Sequence, residues 1–394
     1  MNPFVVDVKI KAGDTLIDLE KHNSKIRSDA SEVRIYLSKN YKKRFFNDTW
    51  ISSLIANASL DHKKLVLTDL TEGSKDKITN RFSDSLIGLT SAYHADVIEN
   101  SKHEKLQIDI DEIIKSIAVN QKGLIDDSSA GHTFVFCSFD SNDRKNYFPR
   151  PLALSAEGVD DFTEKFLKIK RNKIDIAFGI ANQMDNVLFP EYNTYQREKG
   201  FASFIYELYE NTFQHGNKDE NNDLIQGMRS FSIRRHIAAN FSELKRQAEN
   251  FGELGNYLTG VSKHKKYKNF SFYEISIIDN GIGIIKRFLA SRPEFKVDEK
   301  FQCLSEFQKL NYIITQSLSS KLFSGAGKGI KNALRNIFYL EGFLSIRTNN
   351  VWAYFDGQDQ SSRITPQFRH VKTDVKIDSI RGTHYNILIP VSSH

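Results

Sequence analysis

The chain has 394 residues and a formal net charge of +6, a length that predicts two domains rather than one core. It is 40% hydrophobic and 26% charged, with no apolar run long enough to span a bilayer and no basic-then-apolar signal layout in "MNPFVVDVKIKAGD", so a cytoplasmic protein without membrane association is expected. Its two cysteines, Cys137 and Cys303, are too few and too far apart for a disulfide framework or a metal site and are expected as buried, reduced thiols.

The first third alternates strand and helix signals. "EVRIYLS" (32–38) reads as a strand, "DTWISSLIANASL" (48–60) as a helix opened by an Asp, and "KKLVLTDL" (63–70) as a strand, a βαβ pattern. A helix is expected around 104–118 and an aromatic strand at "HTFVFCSF" (132–139). Together these predict a smaller N-terminal α/β domain, residues 1–165, with faint STAS-like character. "NYFPRPLALSAEG" (146–158), with two prolines and little periodicity, reads as the linker into a second domain, 166–394.

The second half begins with "FIYELYENTFQHGN" (204–217), which has the apolar spacing of a core helix yet carries Glu207, Asn211 and His215 at intervals of four. Residues at i and i+4 share one helix face, so these form a polar stripe beside an apolar one. A long polar and helical region (217–269) comes next and reads as an insertion. Basic residues gather there in "IRRH" (233–236) and "SKHKKYK" (262–268). A solvated loop or helix face accounts for such clusters more often than nucleic acid does, so nucleic acid stays a minor alternative. Then come the strand "FSFYEISIID" (270–279), a helical stretch (298–320), the glycine loop and helix "SGAGKGIKNALRNIFYLEG" (324–342), and strands at 343–349, 351–357 and 382–390.

Four short pieces occur in a fixed order: Glu207 with Asn211, "DNGIGI" (279–284), "GAGKGI" (325–330) and "RGT" (381–383). Each is weak alone. "GAGKG" is not a P-loop, since Leu322 and Gly329 stand where that motif needs Gly and Ser or Thr. Their order, and their placement on a helix, a strand end, a loop-to-helix junction and a late strand, resembles the GHKL ATP-binding superfamily. That superfamily includes DNA gyrase, the ninety-kilodalton heat-shock chaperones, sensor histidine kinases and the MutL mismatch-repair proteins. The resemblance covers roughly residues 175–394, and "ELYENTFQHG" is most similar to the first box of anti-sigma serine kinases and histidine kinases.

The resemblance implies a C-terminal two-layer α/β sandwich that takes ATP and Mg²⁺. Mg²⁺ prefers oxygen ligands and keeps several waters, so Asn211 suffices as its protein anchor. Glu207, one turn earlier, is then the general base near the γ-phosphate, and Asp279 accepts a hydrogen bond from the adenine amino group with Thr383 assisting. Gly281 and Gly283 are expected to let the backbone approach the base. Gly325, Gly327 and Gly329, with Lys328 among them, are expected to hinge a lid and hold phosphate through amides at a helix N-terminus. The segment 285–328 is the expected ATP lid. His215 is expected as a structural helix-end histidine.

Two departures shape the functional expectation. The separation of Asn211 from Asp279 is longer than histidine kinases usually need, and neither "HADVIEN" at 94 nor "HEKLQ" at 103 continues into a phosphoacceptor pattern, which argues against a sensor kinase. The expected function is a slow Mg²⁺-dependent ATPase whose nucleotide state switches binding of a protein partner or a second copy of the chain. The alternatives are a protein serine kinase and a module that binds ATP without turning it over.

Overall fold

The structure is a computed structural model that describes residues 4–26, 29–38, 44–59, 64–70, 82, 85–106, 133–140, 204–205, 207–208, 211–212, 216, 218–221, 223, 225, 227–264, 270–316, 329–359, 361 and 366–391. In the N-terminal part, β1 (Val5–Ile10), α1 (Leu16–Asn23), β2 (Glu32–Leu37), α2 (Asn47–Ala58), β3 (Lys64–Asp69), α3 (Leu86–His94), β4 (Val97–Glu99) and β5 (Lys105–Leu106) succeed one another. Strands β1 to β4 pair in parallel and in sequential order, and β5 closes antiparallel on β4. Sequential parallel strands joined by right-handed crossovers carry their helices on one face. The burial pattern has that form: Val6, Val8, Ile10, Val33, Ile35 and Leu37 are buried, while Val5, Asp7 and Lys9 are exposed. The expected βαβ unit is therefore present at nearly the expected positions. Helix α1 opens on a reciprocal cap, in which Thr15 Oγ1 accepts from the Asp18 N–H and the Asp18 carboxylate accepts from the Thr15 N–H.

The second sheet is antiparallel throughout. Its elements are β6 (Thr133–Asp140), β7 (Gly227–Ile237), α4 (Phe241–Gln247), α5 (Gly252–Lys263), β8 (Ser271–Asp279), α6 (Ile284–Ser291), α7 (Glu294–Val297), α8 (Glu299–Gln302), α9 (Glu306–Thr315), α10 (Gly329–Tyr339), β9 (Phe343–Asn349), β10 (Val351–Asp356), β11 (Arg369–His370) and β12 (Ile380–Val391). Among the described residues the strand order is β11-β10-β9-β12-β8-β7-β6. The protein is thus mixed α/β, with one largely parallel and one antiparallel sheet.

Alternation along the strands gives the second sheet two buried faces. The front face, with Ile233, Ile275, Ile277, Leu344, Ile346 and Ile387, packs under α6, α8, α9, α10 and the helical residues of 204–212. The back face, with Met228, Phe272, Ile278, Phe343, Trp352 and Leu388, belongs to the same core as α1 to α5 and the parallel sheet. The N-terminal helices therefore lie between the two sheets.

Several expectations are corrected. The strand at 133–140, expected in the N-terminal domain, is hydrogen-bonded to β7 in the second sheet. The expected insertion at 217–269 contains β7, an interior strand of that sheet, besides α4 and α5. The "IRRH" cluster lies at the end of β7 rather than on a solvated loop, with Arg234 and His236 largely buried against Glu274. Residues 105–106 of the expected helix at 104–118 form β5 instead; residues 107–118 and the linker 146–158 lie outside the described residues.

The expected lid lies partly within the described residues. Its part from 285 to 316 is packed into the front core through Ile285, Phe288, Phe301, Leu310, Ile313 and Ile314, so this stretch is a wall of the domain. Residues 317–328 lie outside the described residues. Cys303, at the C-terminal end of α8, is exposed rather than buried because it sits on the turn between two surface helices. No helix among the described residues is long and apolar enough to cross a membrane.

Candidate functional site

The polar stripe of 204–212 sits beside its apolar one. Phe204, Ile205 and Leu208 are buried in the front core and Thr212 is buried next to them, while Glu207 and Asn211 are half-buried. They meet the start of α10: a Cβ placed on Gly329 would lie 2.6 Å from Glu207 Oε2 and 3.8 Å from Asn211 Nδ2. A larger residue at 329 would displace the carboxylate from this position, and a negative charge there is favoured by the positive end of the helix dipole. Asn211 Nδ2 is buried without a hydrogen-bond partner. Leaving such a donor unmet costs about 1–3 kcal/mol, and the amide presents either oxygen or nitrogen by a half-turn of its terminal torsion. Acid, amide and helix N-terminus therefore form one cluster.

A second cluster forms at the end of β8. Asp279 is buried, and its Oδ1 accepts from the Gly281 N–H at 2.9 Å, closing the turn after the strand. Gly216, whose N–H donates to Thr212 O at 2.8 Å, lies flat against this turn. A Cβ on Gly216 would come within 2.5 Å of Asp279 Cβ, and one on Gly281 within 2.7 Å of Gly216 Cα. Gly382 has φ +80° and donates to Gly281 O; a Cβ there would sit 1.7 Å from Asp279 O. Glycine is required at 382 by both conformation and space. The stretch 207–216 joins the two clusters, with Asn211 in the first and Gly216 in the second.

The strand register extends this cluster sideways. Asp279 is opposite Arg229 on β7 and opposite Thr383 on β12, and Thr383 is opposite Thr348 on β9. All four are buried, forming one polar row across adjacent strands on the front face. Thr348 Oγ1 lies 3.1 Å from Thr383 Oγ1, accepts from the Ile284 N–H at 3.0 Å and lies 3.2 Å from Gly382 O. It thereby ties the Thr383 hydroxyl to the first turn of α6. Behind the row, burial and then the Asp279 charge push the Tyr385 phenol above its ordinary value.

Of the expected site residues, the structure brings together Glu207, Asn211 and Gly329 in one cluster and Asp279, Gly281 and Thr383 in the other. Gly325, Gly327, Lys328 and His215 lie outside the described residues. Two of the expected glycines are also constrained by the protein itself: the space beside Gly281 is taken by the Gly216 main chain and that beside Gly283, at φ +82°, by the Asn349 side chain. Protein packing demands these glycines whether or not a ligand approaches. Gly216, Arg229 and Thr348 are the members that sequence reasoning did not select. Only Gly216 carried a local signal, as the glycine ending the helical stretch; the other two are placed by cross-strand register.

Among the described residues no group of three His, Cys, Asp or Glu side chains could hold a metal ion. The chain matches no family model, no curated protein and no solved structure.

Proposed function

We propose that this site binds ATP with Mg²⁺, in a two-layer α/β sandwich of the GHKL type formed by the antiparallel sheet and its front helices, and hydrolyses it slowly. One observation carries the reading: residues far apart in the chain converge into two clusters of different chemistry that the segment 207–216 connects along the chain. Glu207, Asn211 and the Gly329 helix start suit a metal-bound polyphosphate. Asp279 and Thr383, walled by Gly216 and Gly281, suit a planar base with an exocyclic amine.

The residues fit the ion as well. Asn211, whose Nδ2 has no partner, carries the kind of single neutral amide oxygen that Mg²⁺ accepts when phosphates and waters supply the rest. When bound, Mg²⁺ supplies charge neutralisation at the phosphate oxygens. Asn211 would hold the ion, and the amides at the start of α10 would hold phosphate. Glu207, beside both, takes the proton of an attacking water. Asp279 accepts from the base amine, and Thr383 is kept in place by Thr348.

Titration with ATP and Mg²⁺ tests the reading. Wild type should bind, and Asp279→Ala should weaken binding by about tenfold or more, the worth of one hydrogen bond to a buried charge; equal affinity overturns the base pocket. Glu207→Gln should bind nearly as wild type and turn ATP over roughly 10²-fold more slowly. Turnover at the wild-type rate removes Glu207 as the base.

A further inference from the structure

The N-terminal part touches the base-side cluster at two points, and each contact falls next to a site residue. His94, the last residue of α3, has Nε2 2.9 Å from Nδ2 of Asn280, the residue after Asp279. Asn57, in the last turn of α2, accepts through Oδ1 from the N–H of Arg381 at 3.0 Å, two positions before Thr383. Each strand of the Asp279–Thr383 pair is therefore held at its site end from outside its own sheet.

The protons of this contact can be assigned. His94 Nδ1 lies 2.8 Å from Ser59 Oγ, and Ser59 Oγ donates to Ala56 O at 2.8 Å. A hydroxyl has one proton, so Ser59 accepts from Nδ1–H. Nε2 is then unprotonated and accepts from the Asn280 amide. Desolvation favours the same neutral ring, pushing the His94 imidazole down to about 3. The ring is a fixed bridge between the end of α2 and the turn after β8. It is not needed to pair the strands, because β8 and β12 are already in register from Asp279–Thr383 to Ser271–Val391. What it adds is the orientation of the turn that carries Asp279 and Gly281.

We propose that His94 is a positioning residue for nucleotide recognition, acting through Asn280 to hold the turn between Asp279 and Gly281, with Asn57 bracing the facing strand at Arg381. The N-terminal domain is then part of the nucleotide site without touching the ligand. This rests on the reading of the site as an ATP site. Coupling of this kind is reciprocal: if docking of the N-terminal helices tightens nucleotide binding, bound nucleotide tightens docking by the same factor.

The test measures the Kd for ATP with Mg²⁺ and the Tm in the full chain, for wild type, His94→Ala, Asn280→Ala, their double variant, His94→Gln and Thr49→Val. Loss of one hydrogen bond predicts about 3- to 10-fold weaker binding for His94→Ala and for Asn280→Ala. The double variant should be no weaker than either single one, because both remove the same contact. His94→Gln, whose amide oxygen can accept in place of Nε2, should regain affinity. Thr49→Val removes the 2.7 Å bond to Ser276 in the same interface but away from the turn, and should lower Tm while leaving Kd unchanged.

Wild-type affinity in His94→Ala, additive losses in the double variant, or an equal loss in Thr49→Val would each overturn the proposal. If His94→Ala does not fold, Asn280→Ala against Thr49→Val supplies the same decision. Absence of ATP binding by wild type is a separate outcome, and overturns the nucleotide reading itself.

Discussion

The two faces of the antiparallel sheet come from the same strands, and both are buried, but by opposite chemistry. The front face is apolar except for its end row, Ser271 and the Tyr273 and Tyr385 hydroxyls, and local alternation alone would bury it. One residue over on each strand, the back face carries Ser232, Glu274, Ser276, Ser345, Arg347, His384 and Asn386, all buried. Several of these polar groups are met from the N-terminal helices and the Phe46 turn. Glu20 pairs with Arg347 at 2.9 Å, the Phe46 N–H donates to Glu274 at 2.8 Å, and Arg234 bridges Glu274 at 3.0 Å and Asp48 at 3.3 Å. Both ring nitrogens of His384 and the Asn386 amide have no partner in this layer. Burying polar groups is costly unless each is paired, so this face fits one partner surface and few others. The front is stable because it is greasy; the back is specific because it is not.

The sharpest way to break this contrast is at Arg347. It is 1% exposed, its Glu20 partner is 2% exposed, and its other nitrogens donate to the Asn349, Val351 and Asp378 carbonyls. Arg347→Ala leaves a buried carboxylate uncompensated and should cost about 3–5 kcal/mol in chemical denaturation, a large share of a typical domain's stability. Burial already holds Glu20 above the usual carboxylate range, so part of the loss is relieved by protonation. A Glu20→Leu/Arg347→Met double variant, which removes both charges, should recover most of it. A loss under about 1 kcal/mol for Arg347→Ala would show that the pair is not what binds the N-terminal helices to this face.

Acid should separate the faces next. Burial and the Arg347 charge push the His384 imidazole down to about 3, and burial does the same to His94. The unfolded chain binds protons at these groups from about pH 6.5 downward while the folded chain does not. Stability is therefore full above pH 6.5 and falls as pH drops toward 3, by about 1.4 kcal/mol per pH unit for each group inside its window. His94 is half-buried and contributes the smaller share. Glu274, held at about 2 despite burial by Arg234, His236 and the Phe46 N–H, adds a loss below pH 4.5 that continues to about pH 2. Glu20 runs the other way, since its raised pKa makes the folded state the better proton acceptor. Denaturation midpoints from pH 7 to pH 4 should fall steadily, and His384→Leu should flatten the upper part of that fall. A flat profile in wild type would contradict a back face built on neutral buried histidines.

The same contrast explains what was legible in the sequence. Strand β8, the helix α10 and strand β12 announce themselves through front-face alternation and flanking glycines, all local signals. Strand β7 does not. Its back-face residues Ser230, Ser232, Arg234 and His236 read as solvated, because the partners that bury Arg234 are Asp48 and Glu274, 186 and 40 residues away. Strand β6 is recognisable as a strand, but its sheet is not, since its neighbour β7 begins at Gly227. Within the site, Glu207, Asn211, Asp279, Gly281 and Thr383 are picked out by type and spacing. Arg229 and Thr348 owe their places to register, which no single segment encodes. The packing of 285–316 is likewise not written in the glycines that bracket the expected lid, 285–328. Gly283 instead starts α6, and Phe288, Phe301 and Leu310 anchor α6, α8 and α9 in the front core.

The smallest predicted effect lies on the front. Ile277 is fully buried on β8, two residues before Asp279 and on the same face. Ile277→Val removes one methylene from a site whose cross-strand neighbours, Phe231 and Tyr385, neither bind nor release a proton between pH 5 and pH 7, and should cost about 0.5–1.5 kcal/mol. The loss should be the same at pH 7 and pH 5, because no proton is bound or released with that methylene. This is the control for the acid series: a back-face change such as His384→Leu alters the pH slope, whereas Ile277→Val shifts the whole profile down without tilting it. Parallel denaturation curves at the two pH values decide it. A cost that grows at pH 5 would mean that loosening the front lets protons reach the back, and the faces would then be one cooperative layer rather than two independent ones.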